Sequence, residues 1–334
     1  MKKNILKWIF ILLAAFVALC VIMLFSLSLW NSSMSKKWLS SVSADGELVN
    51  VDGHSFFCRV KGKGKPIIIF EGDAGSSSAE WLGIQEALPV DCTSIVYDRA
   101  GYGWSAEGKY PRNPEQIVEE LTSLLKAKGL DAGPFILVGQ GLGAYYLQYF
   151  AAENPTKIKA MILSQPYSAA YSQFRSGMDP VVYKNLFDRI PSFKMAGILG
   201  KMGLVRFFNA TPYRYTPQEI KEDLVENYSN PQTILAMLDE YRNGPLRNIK
   251  ELKLPRVPIT VIHHNAENFR KEYVNFYLSY NDIETIESLW KDMLSVITKQ
   301  SSSSRIISAR ESFNNIHIEE PKLILAEILT ALKK

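Results

Sequence analysis

The sequence contains few of the residues on which disulfide frameworks, zinc sites and base-dependent catalysis rely. Three cysteines occur in 334 residues, and they are scattered without C-x-x-C spacing. Neither a disulfide framework nor a zinc site is therefore indicated. Only four histidines are present, so a mechanism that needs a histidine base must use one of these: His54, His263, His264 or His317.

The chain also lacks a strong excess of charge of either sign. It has 38 Lys and Arg residues against 34 Asp and Glu residues, a net charge of +4, and no dense basic block. Proteins that bind nucleic acid usually carry a basic patch or a recognisable motif. We therefore predict no nucleic-acid partner.

The adjacent pair His263 and His264 raises the question of a metal site. Neighbouring side chains on a strand point to opposite faces of a sheet, and a zinc site needs at least a third ligand, which the sequence does not make apparent. We predict a structural role for both histidines, with no bound metal and no cofactor.

One long apolar run is present, and it lies near the amino terminus. Residues 8–30 carry no charged side chain and have a tryptophan at each end. As a helix rising about 1.5 Å per residue they can cross a hydrocarbon core of about 30 Å. A cleaved signal peptide is the alternative, but its apolar region is normally only about 7 to 15 residues long. We predict an uncleaved transmembrane anchor.

The charges beside this run predict its orientation. Three lysines lie in residues 1–7 and two in residues 31–45. Because cytoplasmic flanks carry the excess of Lys and Arg, we predict a cytoplasmic amino terminus, a single pass through the cell membrane and an extracytoplasmic C-terminal domain. Residues 31–45 are polar and serine-rich without an apolar period, which predicts a juxtamembrane linker.

Short apolar runs alternate with helix-like segments over most of the remaining chain. This alternation predicts an α/β fold with a mostly parallel central sheet flanked by helices. Apolar spacings of three and four predict an amphipathic helix over 115–126, and a last helix is predicted over 321–332. The predicted strands are 48–51, 54–60, 66–70, 94–97, 135–138, 160–163, 259–263 and 305–308.

One stretch interrupts the strand pattern. Between residues 169 and 255 aromatic, Met and Leu residues recur at helical spacing and prolines are frequent. This pattern predicts a helical cap inserted into the fold. The core would then comprise residues 46–168 and 256–334.

The centre of the pattern is the segment from Phe135 to Ala144, an apolar run followed by the glycine-rich turn Gly139-Gln140-Gly141-Leu142-Gly143 and a helix-like segment. It resembles the nucleophile elbow of the α/β hydrolases, in which a Gly-x-Ser-x-Gly turn lifts a serine over the sheet. The resemblance to this superfamily, and to a bacterial membrane-anchored branch of it, extends to further motifs in the same order: Phe70–Ser78 with Trp81, Tyr97–Ser105, Glu115–Leu121 and Asn315–Pro321.

The resemblance implies a degraded catalytic triad. The nucleophile position is Gly141, and the catalytic histidine position is Asn314, which cannot shuttle a proton near neutral pH. The carboxylate position falls near Glu267, which without a histidine to orient is expected to be a surface loop residue. His317 matches a supporting histidine of the family and is the fallback base.

The same resemblance predicts a pocket that survives the loss of the triad. The oxyanion hole would use the backbone N–H of Leu142 and one from the region of Asp73 and Ala74, and an acidic Asp73 would oppose a developing oxyanion unless it points away. The predicted pocket residues are Asp73, Ala74, Gln140, Gly141, Leu142 and Asn314.

These expectations favour a membrane-anchored protein that is inactive as a serine hydrolase and binds a small molecule or a protein partner. The alternative is a hydrolase of an ester or related bond that uses relocated residues such as His317 or Glu267. A third possibility is a purely structural membrane partner, whose pocket would be filled by side chains.

Overall fold

An eight-stranded sheet forms the centre of the computed structural model, which describes residues 2–42, 46–188, 190–211, 213, 215–243, 249–274, 278–312 and 315–333. The strands, β1 to β8 in chain order, are Glu47–Val51, His54–Lys61, Ile67–Glu71, Thr93–Tyr97, Phe135–Gln140, Ile158–Ser164, Ile259–His263 and Arg305–Ser308. Each strand predicted from the sequence is present, which confirms the α/β architecture.

The strand order across the sheet is β1-β2-β4-β3-β5-β6-β7-β8. Strands β1 and β2 form a hairpin that pairs antiparallel with β4, and every other neighbouring pair is parallel. Since loops that leave parallel strands lie along one edge of the sheet, the ends of β3, β4, β5 and β6 meet at that edge. The residues that follow these ends build the candidate site.

The sheet is covered by helices on both faces. After the amino-terminal helix α1, Lys2–Ser40, the helices of the core are α2 Leu82–Glu86, α3 Pro114–Ala127, α4 Gly141–Glu153, α11 Ala266–Val274, α12 Tyr280–Thr298, α13 Ile316–Glu319 and α14 Pro321–Lys333. Short 3-10 turns lie at Ser78–Trp81 and Pro155–Lys157.

Helix α3 illustrates how the local sequence specifies these elements. Asn113 caps it by accepting a hydrogen bond from the backbone N–H of Gln116, and Pro114 occupies the first turn, where its missing N–H has no cost. Its apolar residues face the sheet and are buried, as their spacing of three and four predicts: Ile117, Val118, Leu121, Leu124 and Leu125.

The region between β6 and β7 is helical, as the prediction of a cap requires. Its helices among the described residues are α5 Tyr171–Ser176, α6 Pro180–Leu186, α7 Ile190–Lys201, α8 Leu204–Phe207, α9 Gln218–Ser229 and α10 Pro231–Asn243. Helix α10 packs over the loop edge of the sheet, where Ile234, Ala236 and Met237 form an apolar cluster with Tyr102. The residue limits assigned to core and cap stay predictions.

Helix α1 is longer than the sequence pattern predicts. It is long and apolar enough to cross a membrane, and its apolar stretch is not buried against the rest of the protein. However, it continues to Ser40, so the prediction of a linker beginning at residue 31 is wrong. The polar residues of this stretch do not mark a loop. Asn31, Ser35 and Trp38 repeat at helical spacing, and their side chains contact the folded domain.

The contact between α1 and the cap is polar and buried. The Asn31 side-chain amide donates to the carbonyls of Gly200 (3.1 Å) and Ser229 (3.2 Å). The Arg206 guanidinium donates to Asn31 Oδ1 (2.9 Å) and to Ser35 Oγ (3.0 Å), and it forms an ion pair with Glu226. Because a buried guanidinium without partners is costly, these bonds hold α8 and α9 to the amino-terminal helix.

Replacing Asn31 by leucine should loosen this contact. The variant leaves Arg206 Nε and two carbonyls without their partner, and we expect at least about 2 kcal/mol to be lost from the opening free energy of α8 and α9. Amide hydrogen exchange of the full chain in phosphatidylcholine nanodiscs measures this loss. Exchange of the α8 and α9 amides should become faster, and exchange of the β5 amides should stay unchanged.

The matched control is Ser33→Leu, which adds the same side chain on the exposed face of the same helix. Equal exchange in the two variants would mean that Asn31 does not hold the cap.

Candidate functional site

The turn from β5 into α4 occupies the loop edge of the sheet. Strand β5 ends at Gln140 and α4 begins at Gly141, whose φ of +55° lies in the left-handed region that favours glycine. The flanking glycines permit close backbone approach, because a Cβ at Gly143 would lie 2.1 Å from the Gly72 carbonyl oxygen and one at Gly139 would lie 2.6 Å from Ala144 Cα. The turn is a tight strand-to-helix elbow with a glycine at its centre.

The carboxylate of Asp73 lies in the space that a side chain at position 141 would need. A Cβ built on Gly141 would meet Asp73 Cγ at 2.3 Å and both carboxylate oxygens at 2.5 Å. Asp73 Oδ1 accepts the backbone N–H of Leu142 (2.9 Å) and that of Ala74 (2.8 Å). These are the two donors predicted for an oxyanion hole, and a side chain of the protein itself uses them.

Arg99, at the end of β4, fixes the loop that carries Asp73. Its guanidinium donates to the carbonyls of Gly72 (2.8 Å) and Asp73 (2.9 Å) and forms ion pairs with Glu71 and with Glu240 on α10. Burial raises the pKa of Glu71, against the lowering effect of the Arg99 charge. Glu71 and Arg99 lie in motifs that resemble the family, whereas no motif marks Glu240, which lies far along the chain and was not predicted.

The protonation of Asp73 depends on the same surroundings. Its burial raises the pKa of the carboxyl, whereas the hydrogen bonds from Leu142 and Ala74 and the nearby Arg99 charge lower it. Burial is the larger effect, so the pKa of this carboxyl lies above its usual value.

A cavity of about 170 Å³ opens above Asp73. It brings together four of the predicted pocket residues, Asp73, Ala74, Gln140 and Gly141, and adds Gln165 and Asn315. The remaining walls are largely aromatic and come from the loop after β6, from the cap and from α11 and α12: Tyr167, Phe187, Phe193, Tyr213, Tyr228, Tyr241, Phe269, Tyr273 and Trp290. That this cavity binds a ligand stays a prediction.

The fallback base His317 does not line this cavity. It is buried, its ring stacks on Trp81 at 4.6 Å, and its Nε2 lies 2.9 Å from Glu80 Oε2. The Tyr213 hydroxyl donates to the other oxygen of Glu80 (2.6 Å) and also lines the cavity. Among the described residues, the hydrogen bonds that link His317 to the cavity run through Glu80 and Tyr213.

Of the two other predicted triad positions, only Glu267 lies among the described residues, and it does not line the cavity at the turn. Glu267 lies in the first turn of α11, about two-thirds exposed, and its carboxylate pairs with Lys271 at 2.7 Å. It is a surface residue, as expected, but on a helix rather than a loop. Asn314 falls outside the described residues, and its neighbour Asn315 lines the cavity.

His263 and His264 do not point to opposite faces, so that prediction is wrong. Strand β7 ends at His263, so alternation across the sheet does not extend to His264, and the ring centroids lie 3.7 Å apart. Glu287 on α12 lies between them, with carboxylate oxygens 3.4 Å from His263 Nε2 and 2.6 Å from His264 Nε2. These three buried side chains could hold a metal ion; without one, the carboxylate accepts hydrogen bonds from both rings.

Placing a serine at position 141 should be strongly unfavourable unless Asp73 is also replaced. Gly141→Ser meets both the left-handed backbone, which costs about 1–2 kcal/mol, and the Asp73 carboxylate, which adds an overpacking cost of about 1–3 kcal/mol. Urea unfolding of the two single variants and the double variant with Asp73→Ala should give a favourable coupling of about 1–3 kcal/mol.

Gly129→Ser supplies the matched control. Gly129 has a φ of +66°, and a Cβ added there would meet no atom within 4 Å, so only the backbone cost applies. Additive effects of Asp73→Ala and Gly141→Ser would contradict the placement of the carboxylate.

Comparisons with known proteins agree with this fold. The alpha/beta hydrolase fold family matches residues 65–231. The uncharacterized protein YbdG of Bacillus subtilis (strain 168) is 24% identical over 318 residues, which cover 85% of this chain and 90% of that protein. Monoacylglycerol lipase abhd6-B of Xenopus laevis is 23% identical over 246 residues, 69% of this chain and 72% of that protein.

A solved structure of a putative alpha/beta hydrolase from Nostoc sp PCC 7120 aligns with a TM-score of 0.64 at 14% identity, covering 88% of this chain and 99% of that one. At this identity the likeness concerns the fold alone. With the family match over half of the chain and the strand order described above, the chain belongs to the alpha/beta hydrolase superfamily.

Proposed function

We propose that this chain is a membrane-anchored α/β-hydrolase-fold protein that does not act as a serine hydrolase and binds a small molecule in the cavity above Asp73. Helix α1 is the proposed anchor, with a cytoplasmic amino terminus and an extracytoplasmic folded domain in the cell membrane. The observation that carries the proposal is the Asp73 carboxylate, which accepts the Leu142 N–H over a Gly141 that has no side chain.

Two requirements of serine hydrolysis are unmet at this turn. A nucleophile is missing at Gly141, and the Asp73 carboxyl group occupies the donors that would stabilise a tetrahedral oxyanion. Loss of a triad costs about 10⁶-fold in rate and leaves only about 10³ to 10⁴-fold acceleration over water. An ionised Asp73 should reduce that remainder further, because it repels the developing charge.

A hydrolase with relocated residues is the alternative. It would need His317 or Glu267 to activate a water beside the bound substrate. Glu267 lies on the surface in an ion pair with Lys271, and His317 contacts Glu80 and does not line the cavity. Neither position favours this alternative.

The chemistry of the cavity favours an organic cation as ligand. A carboxylate lies on the floor, and the walls are mostly aromatic rings, whose faces attract ammonium groups. Among the described residues no side chain donates to Asp73 Oδ2, so this oxygen is available to a ligand. A purely structural role is less well supported, because it predicts a cavity filled by side chains.

The purified full chain in detergent should not turn over short-chain p-nitrophenyl esters at enzymatic rates. It should also leave a fluorophosphonate probe unreacted, since the turn carries no nucleophile. Turnover that His317→Ala or Glu267→Ala abolishes would overturn the proposal in favour of relocated catalysis.

Tetramethylammonium should bind and should quench or shift the tryptophan fluorescence, because Trp290 lines the cavity. Asp73→Asn keeps an oxygen for the Leu142 and Ala74 N–H groups and removes the charge. We expect this variant to bind about tenfold more weakly.

Asp131→Asn, an exposed position, is the control for the charge change. Neutral tert-butanol, which has nearly the same shape, should bind both Asp73 forms equally weakly. Equal tetramethylammonium affinity in wild type and Asp73→Asn would contradict the cation assignment.

A further inference from the structure

The cap contacts α1 at the last residues of its apolar stretch, and this contact defines the depth of the cap relative to a membrane. A Cβ at Gly203, between α7 and α8, would lie 2.8 Å from the Leu27 carbonyl oxygen. Arg206 on α8 stacks over the Trp30 ring at 5.9 Å. Both partners belong to residues 8–30, so the α7–α8 junction lies level with the end of the span.

Helix α7 is apolar on two sides. One side packs into the protein, where Phe193 and Ala196 join the cluster beneath α10 and Gly197 closely approaches Ile234. The other side exposes Met195, Ile198 and Leu199, which share a helix face at spacings of three and four. A helix of a water-soluble surface would normally carry polar residues on that face.

The exposed apolar surface continues beyond α7. Phe207 is 62% exposed and Phe208 is 70% exposed, and they lie directly after Arg206, which is bonded to α1. Two adjacent exposed phenylalanines thus follow three exposed apolar side chains within residues 195–208, and exposed apolar surface of this extent is typical of an interaction site. We call the five residues the cap patch: Met195, Ile198, Leu199, Phe207 and Phe208.

We propose that the cap patch inserts into the outer interfacial layer of the same bilayer that α1 spans. The inference rests on the proposed membrane anchor. The occupant is lipid rather than another protein, because the junction at Gly203 already lies at the depth of Leu27. A surface held at that depth meets the headgroup and acyl boundary, where the burial of apolar side chains is favourable.

Charged residues near the patch suit this placement. Lys194 and Lys201 lie on α7 and are exposed, and long lysine side chains can extend to phosphate groups while their stems remain in the apolar layer.

Phe193 on the same helix lines the cavity above Asp73. Helix α7 therefore lies between the bilayer and the cavity.

Site-specific labels on the full chain in phosphatidylcholine vesicles test the placement. Each chain carries one NBD-labelled cysteine and is read with a nitroxide-bearing phosphatidylcholine and, separately, with aqueous iodide. The background replaces the native Cys20, Cys58 and Cys92 by alanine, and circular dichroism verifies folding. The label positions are Phe208→Cys in the cap patch, Phe10→Cys in the span and Val90→Cys, which is 75% exposed at the opposite edge of the sheet.

We expect the nitroxide lipid to quench the labels at 10 and 208 but not at 90, and iodide to quench only the label at 90. If the label at 10 is quenched by lipid and the label at 208 behaves like that at 90, the cap inference is wrong while the anchor stands. Lack of lipid quenching at both 10 and 208 overturns the anchor and the cap inference together.

A second copy of the chain covering the patch has its own signature. The label at 208 would then be shielded from iodide and also from the nitroxide lipid. That outcome overturns the lipid assignment.

Discussion

The buried guanidinium of Arg99 is the interaction on which the loop edge of this protein depends. It joins the sheet through Glu71, the loop after β3 through two carbonyls, and the cap through Glu240. One cation thus faces two buried carboxylates, and hydroxyl groups of Tyr97 and Tyr146 complete their hydrogen bonds. Removing one partner of such a network leaves buried charge uncompensated, which typically costs about 3–5 kcal/mol. The position of Asp73 follows from this network, because its backbone carbonyl is one of the Arg99 acceptors.

Much of the fold was predictable because its signals are local. The alternation of short apolar runs and helical segments predicted the sheet, and the glycines at 139, 141 and 143 predicted the strand-to-helix turn. The features that were not predictable arise from contacts between distant segments. Residues 31–40 looked like a linker because Asn31 and Ser35 are polar, yet their partners lie on the cap. The convergence of His263 and His264 depends on where β7 ends, which periodicity alone does not specify.

The cap is held from two sides. Glu240 ties α10 to the core through Arg99, and Arg206 ties α8 to α1 through Asn31 and Ser35. Both attachments are buried and hydrogen-bonded, so neither weakens readily with salt. A cap fixed in this way differs from a mobile lid, because opening it requires breaking a charged network at one end or the other.

The closeness of Asp73 to Gly141 also couples two positions that lie far apart in the sequence. A serine at 141 collides with the carboxylate, and an alanine at 73 alone supplies no nucleophile. A side chain at 141 therefore fits only where residue 73 no longer fills the same space. Residues 73 and 141 form one steric unit, so a library that redesigns this turn has to vary both positions together.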